Sequence, residues 1–111
     1  MAFGINWLEG LAVEWLALDG FAIIPPPPVP TPNGGRRFPD LVGVKNVAGG
    51  STIRHCEMGA TAPSVQKLAA QYADKFAPNV RSAVKAEVRR VVRVNPDSYE
   101  MWVVLYGFKG D

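Results

Sequence analysis

At 111 residues the chain is long enough for one hydrophobic core and too short for two, so it is read as a single domain over residues 1–111. Apolar residues make up 48% and charged residues 20%, the balance of a soluble globular protein. The net charge of +2 is too small to mark a nucleic-acid binder by itself, and one cysteine excludes an internal disulfide.

The N-terminus has no basic region ahead of its apolar stretch, which Glu9, Glu14 and Asp19 interrupt. It reads as neither a signal peptide nor a membrane span, and the expected location is the cytoplasm, with no membrane partner. Residues 3 to 19 predict a helix: Trp7, Leu8, Leu11, Ala12, Trp15 and Leu16 recur at helical spacing, and Gly20 supplies a stop. This helix is apolar on more than one side, so much of it is expected to be buried, the tryptophans included. Glu14 is read either as a boundary residue reaching water or as a carboxylate aimed at a site on the sheet.

Phe21 to Ile24 predict a short strand, followed by four consecutive prolines, Pro25 to Pro28, and then Pro30 and Pro32. Proline cannot donate to a strand ladder, so this strand is expected on an edge or to end at Ile24. The proline segment is read as a stiff polyproline spacer, and Asn33-Gly34-Gly35 as a turn. Phe38 to about Lys45 predict a second strand, with Asp40, Val42 and Val44 on one face. Its pairing is expected to fade soon after Lys45, ahead of a Gly49-Gly50 turn. Ser51 to Met58 predict a third strand with Ile53, His55 and Glu57 on one face and Arg54, Cys56 and Met58 on the other, ended by Gly59. Folded as an antiparallel hairpin, the two strands bring Asp40 and Glu57 to the same open end, where like charges repel unless a cation sits between them.

A helix is expected to begin at Thr61 to Ser64, with hydroxyl caps and Pro63 in its first turn. Ala77-Pro78 should break it, and a second helical stretch runs from about Asn79 to Val92. Lys and Arg are absent before Arg36 and frequent from Lys67 to Arg93; Arg81, Lys85 and Arg89 form a ridge at four-residue spacing. Tyr99 to Phe108 predict the last strand. His55 and Cys56 point to opposite faces and cannot form a dyad, and one histidine with one cysteine cannot build a zinc site.

The order helix, three strands, broken helix, strand, with a Glu in the first helix, Pro39-Asp40 opening the second strand and Glu57 near the end of the third, resembles the PD-(D/E)XK nuclease superfamily. The phrase GGRRFPDLVGVK is also similar to the matching segment of Holliday-junction resolvases and restriction-endonuclease-like proteins. The resemblance implies an α/β (α+β) fold with a restriction-endonuclease-like core, order αβββαβ, and a central mixed sheet flanked by helices. It implies a metal-dependent endonuclease acting on DNA, with Mg²⁺ or Mn²⁺ as cofactor. Asp40 and Glu57 would then be metal ligands, the Met58 carbonyl a backbone ligand, and Glu14 a helix carboxylate binding the metal directly or through water. Magnesium suits such a set because it prefers oxygen ligands and keeps several waters.

The family's lysine falls two residues after the acid, and that position is Gly59 here. Lys67 or Gln66 at the start of the next helix would take over its role, with Lys45 a weaker candidate. Arg36, Arg37, Arg54, His55, Arg81, Lys85 and Arg89 are the expected nucleic-acid contacts, and a homodimer is the expected way for so small a nuclease to grip DNA. Gly59 also favours an alternative, a catalytically degenerate module that binds DNA or a protein partner without cleaving. A third reading is a protein-interaction domain using the proline run and the first helix.

Overall fold

A computed structural model of the protein describes residues 3–31, 33–47, 50–60 and 64–106. The elements are α1 (Phe3–Leu18), β1 (Ala22–Ile24), β2 (Val29–Pro30), β3 (Arg36–Arg37), β4 (Leu41–Val47), β5 (Gly50–Ala60), α2 (Val65–Ala73), a 3₁₀ turn (Asp74–Phe76), α3 (Pro78–Val92) and β6 (Ser98–Tyr106). The fold is mixed α+β. Its main sheet has four strands in the order β1-β4-β5-β6, and β2 and β3 form a separate two-stranded ribbon. β4 runs antiparallel to both of its neighbours, β1 and β5, whereas β6 returns parallel to β5 after the α2–α3 crossover.

Local chemistry explains the boundaries. α1 stops at Gly20, whose φ of +89° is open to glycine at little cost. There Gly20 N–H donates to the Ala17 carbonyl and Phe21 N–H to the Leu16 carbonyl, the paired bonds of a Schellman turn. β1 ends at Ile24, on the sheet edge, as the prolines require. The Ser64 hydroxyl caps α2 by accepting from Lys67 N–H at 3.1 Å. Pro78 opens α3, which ends at Arg93 in the left-handed conformation.

Several expectations are corrected. The spacer is not polyproline throughout, because Val29–Pro30 pairs with Arg36–Arg37 around the Asn33–Gly35 turn. The β4–β5 ladder does not fade after Lys45; it runs on through Asn46↔Ser51 to Val47↔Gly50. Nor does Gly59 end β5, because β6 continues to pair with it through Gly59↔Leu105 and Ala60↔Tyr106. The helix start at Thr61 to Pro63, Gly49 of the expected turn, Pro32, and the strand end at Phe108 lie outside the described residues.

Strand alternation divides the sheet into two unlike faces. On one, Ile24, Val42, Val44 and Ile53 pack against Val80, Val84 and Val88 of α3. On the other, Leu41, Cys56 and Met58 pack with Phe21 beneath Leu8, Ala12 and Leu16 of α1. α1 buries only that stripe. Trp7, Leu11 and Leu18 are exposed, and Trp102 of β6 is 41% exposed, so the expectation of a largely buried helix and core tryptophans is not met. A single helix face suffices to cover a narrow sheet, and the second apolar side is left facing outward.

Arg54 organises the α1 face. Its side chain is 9% exposed and its guanidinium meets Asp19 at 2.8 Å and Glu100 at 2.7 Å. It also stacks on Phe21, Trp15 and Trp102, with ring centroids 4.2, 4.8 and 5.0 Å away. The two hydrogen-bonded carboxylates hold its charge firmly despite burial, raising its pKa further. One side chain thus ties the end of α1 to β5 and β6. Arg54→Ala is expected to lower unfolding stability by about 2 kcal/mol in urea titrations, with Arg54→Lys recovering little of it because an ammonium lacks the planar fork. A midpoint shift no larger than that of an ordinary surface substitution would refute this role.

Candidate functional site

The register pairs Leu41 with Cys56, so Asp40 and Glu57 fall one step beyond, facing each other across the strand ends. Their main chains hold them there. Asp40 N–H donates to Glu57 Oε2 at 3.3 Å, and Met58 N–H donates to Asp40 Oδ2 at 2.8 Å. Each carboxylate is therefore clamped by an amide from the other's strand. Burial raises the Asp40 pKa above its ordinary 3.8, and the Glu57 charge adds to that, while the Met58 amide, Lys75 and His55 oppose it. Asp40 is half-buried and Glu57 is 2% exposed.

Beneath the acids runs a buried polar chain. His55, fully buried, places Nε2 2.7 Å from Glu57 Oε2 and Nδ1 2.8 Å from the Tyr99 hydroxyl. With Glu57 as a carboxylate, Nε2 donates to it, and Nδ1 shares a hydrogen bond with the Tyr99 hydroxyl in which the protonation of the ring sets the donor. Burial pushes the Tyr99 pKa up, which keeps that hydroxyl protonated. Phe76 closes the histidine from above, edge to face with centroids 4.7 Å apart. The chain Tyr99–His55–Glu57 thus leaves Glu57 one oxygen, Oε1, on the side where Lys75 Nζ stands 3.9 Å away.

Lys75 was not among the residues singled out by sequence. It enters from the 3₁₀ turn after α2, and the geometry of Gly59 accounts for its path. A Cβ at Gly59 would lie 2.0 Å from the Tyr72 hydroxyl oxygen, so this position must stay bare for Tyr72 to pack there. Lys75, three residues on, crosses the Tyr72 ring at 5.0 Å to reach Glu57. The one sequence signal available was a lysine close after a bulky aromatic in a helix that had to cover a glycine.

No family model, curated protein or solved structure matches the chain.

The other sequence candidates distribute as follows. Glu14 is exposed on α1, which packs on the sheet face opposite that of His55 and Glu57, so the structure does not bring it to the acid pair. Lys67 and Gln66 are exposed at the start of α2, and it is Lys75 that meets Glu57 instead. Lys45 lies 4.0 Å from Asp19, by the α1 face. Met58 contributes its amide, bonded to Asp40. Arg54 is enclosed on the α1 face as described. Arg36 is exposed, and half-buried Arg37 lines a cavity of about 200 Å³ with Thr31, Asp74 and Asn79. On α3, Arg81 donates to the Phe76 carbonyl at 3.0 Å and Lys85 lies 5.9 Å from the Tyr99 ring, while Arg89 is exposed.

Two measurements check this geometry. Gly59→Ala is expected to cost about 1–3 kcal/mol of stability, and less in a Tyr72→Phe background where the clashing oxygen is gone; equal losses in both backgrounds would refute the steric account. The raised Asp40 pKa means that the folded state holds this proton more tightly than the unfolded chain. Stability contributed by Asp40 protonation is therefore present at pH below 3.8 and lost as pH rises through the folded pKa. Asp40→Asn should flatten the stability profile just above pH 3.8, and an unchanged slope would contradict the assignment.

Proposed function

We propose that the chain is a metal-dependent endonuclease-like protein hydrolysing DNA phosphodiester bonds on a restriction-endonuclease-like core. The observation that carries this reading is the meeting of Asp40, Glu57 and Lys75 at one end of the β4–β5 hairpin. The succession of helix, three main-sheet strands, helices and a parallel fourth strand supports it.

Two clamped carboxylates of like charge, with burial working against ionisation at Asp40, fit a divalent cation. Among the described residues no third His, Cys, Asp or Glu joins them in a cation-sized cluster. Magnesium needs no fuller cage, since it is commonly held by one or two carboxylates together with water and substrate phosphate. Asp40 and Glu57 would hold Mg²⁺ or Mn²⁺, which supplies charge neutralisation at phosphate and acidifies a bound water.

The chain's own residues do the rest. Tyr99 and His55 orient Glu57, and Lys75, whose ammonium stands 3.9 Å from Glu57 Oε1, would take the place of the missing motif lysine. Arg36, Arg37, Arg81, Lys85 and Arg89 are the phosphate contacts, so binding should weaken steeply with salt. Glu57 also supports a second reading. It is nearly inaccessible, with Oε2 taken by His55 and the Asp40 amide, which favours a module on the same scaffold that binds DNA without cutting.

Incubation with duplex, branched and single-stranded DNA in Mg²⁺ or Mn²⁺ separates the two. Cleavage is expected, falling at least about a hundredfold in Asp40→Asn and Lys75→Met with circular dichroism unchanged. Mn²⁺ is expected to raise the melting temperature of the parent chain and not of Asp40→Asn. Salt-sensitive binding without cleavage and without a Mn²⁺ effect selects the second reading. No binding to any DNA overturns both.

A further inference from the structure

The two edges of the main sheet are defended very differently. β1 is three residues long and runs straight into Pro25 to Pro28, the usual devices against unwanted strand pairing. β6, the other edge, is nine residues long and contains no proline, lysine or arginine. Its one charge, Glu100, is neutralised by Arg54 and hydrogen-bonded by Trp102 Nε1 at 3.1 Å. Among the described residues β6 pairs with β5 alone, which leaves its outer row of N–H and C=O groups without ladder partners.

Apolar surface flanks that row on both sides. Met101, 50% exposed, and Val103 form one wall of an open groove completed by Leu68, Ala69, Tyr72 and Phe76. On the opposite face Trp102, also half-exposed, leans edge-on against Trp15. A strand laid along β6 would complete the ladder and send alternate side chains into the groove and over Trp102.

We infer that the occupant is β6 of a second copy, giving a two-fold homodimer with one continuous eight-stranded sheet. Self-pairing is isologous, and an antiparallel arrangement closes on itself and consumes both undefended edges at once. No uncompensated like charges oppose each other across it, because Glu100 already has its guanidinium. The size is sufficient. Nine residues at about 3.4 Å each give a strip about 30 Å long. With the sheet and the α2 layer together about 20 Å deep, each copy buries on the order of 600 Å², a total of about 1,200 Å², at the threshold of stable specific interfaces.

The two-fold axis of such a pair is normal to the sheet, so Leu68 and Ala69 of both α2 helices face each other on one side. The two Asp40–Glu57 pairs then open on that same side, their β5 strands about 14 Å apart by strand spacing. On the hydrolytic reading this sets two centres against one nucleic acid, but the dimer itself stands independently of that reading.

Light scattering on the eluting protein tests it. The expected mass is twice the 12.0 kDa of the chain, falling toward one chain on dilution. Met101→Lys, at a half-exposed position, and Leu68→Glu, across the groove, should each give a monomer with an unchanged circular dichroism spectrum. If either variant misfolds, hydrogen exchange of the parent protein decides: β6 amides should gain protection as concentration rises. A single-chain mass at every concentration, a larger open assembly, a dimer indifferent to both folded variants, or β6 protection independent of concentration would overturn the proposal.

Discussion

Two carboxylates of the same sign stand side by side because each accepts a backbone amide from the other's strand. Asp40 Oδ2 takes Met58 N–H and Glu57 Oε2 takes Asp40 N–H. This exchange fixes both side chains without any flexible partner and extends the β4–β5 pairing by one step past its last ladder pair. Amide hydrogen bonds to carboxylates are stronger than neutral ones, so they offset part of the repulsion and the partial burial. Part remains, and it is expressed in the raised Asp40 pKa. Everything proposed for the site draws on that residual charge.

The sheet keeps its two demanding polar groups apart by alternation. Arg54 and His55 are neighbours in β5, both buried, and point to opposite faces. Arg54 is satisfied by carboxylates from the α1 terminus and β6, and by three aromatic faces. His55 is satisfied by Tyr99 and Glu57 on the other face. No buried side-chain nitrogen or oxygen among the described residues lacks a partner. A buried polar network is tolerable only in that state, because an unpaired member in a low dielectric costs more than the network contributes. The α1 face therefore holds the enclosed arginine, and the α2–α3 face holds the buried Tyr99–His55–Glu57 chain.

Gly59 links the fold to the site. A side chain there would displace Tyr72, and Tyr72 is the surface over which Lys75 reaches Glu57. The bare position at Gly59 and the approach of Lys75 to Glu57 are thus one packing arrangement seen from two sides.

What the residues settled on their own was whatever depends on short-range backbone rules. Proline placed β1 on an edge, Gly20 stopped α1, Pro78 restarted the helix, and period-two alternation put Ile53, His55 and Glu57 on one face. Hairpin geometry likewise made the meeting of Asp40 and Glu57 legible, since antiparallel register is a local property of two adjoining strands. Only the tertiary structure decided which face of the sheet each helix covers, because a helical period says where the apolar stripe lies and nothing about the surface beneath it. Hence Glu14 sits away from the acids, Trp7 and Trp102 are half-exposed, and Arg54 is enclosed. The same reason hid Lys75: its reach depends on how α2 docks and on a 3₁₀ turn redirecting the chain, a packing outcome that no spacing in the sequence encodes.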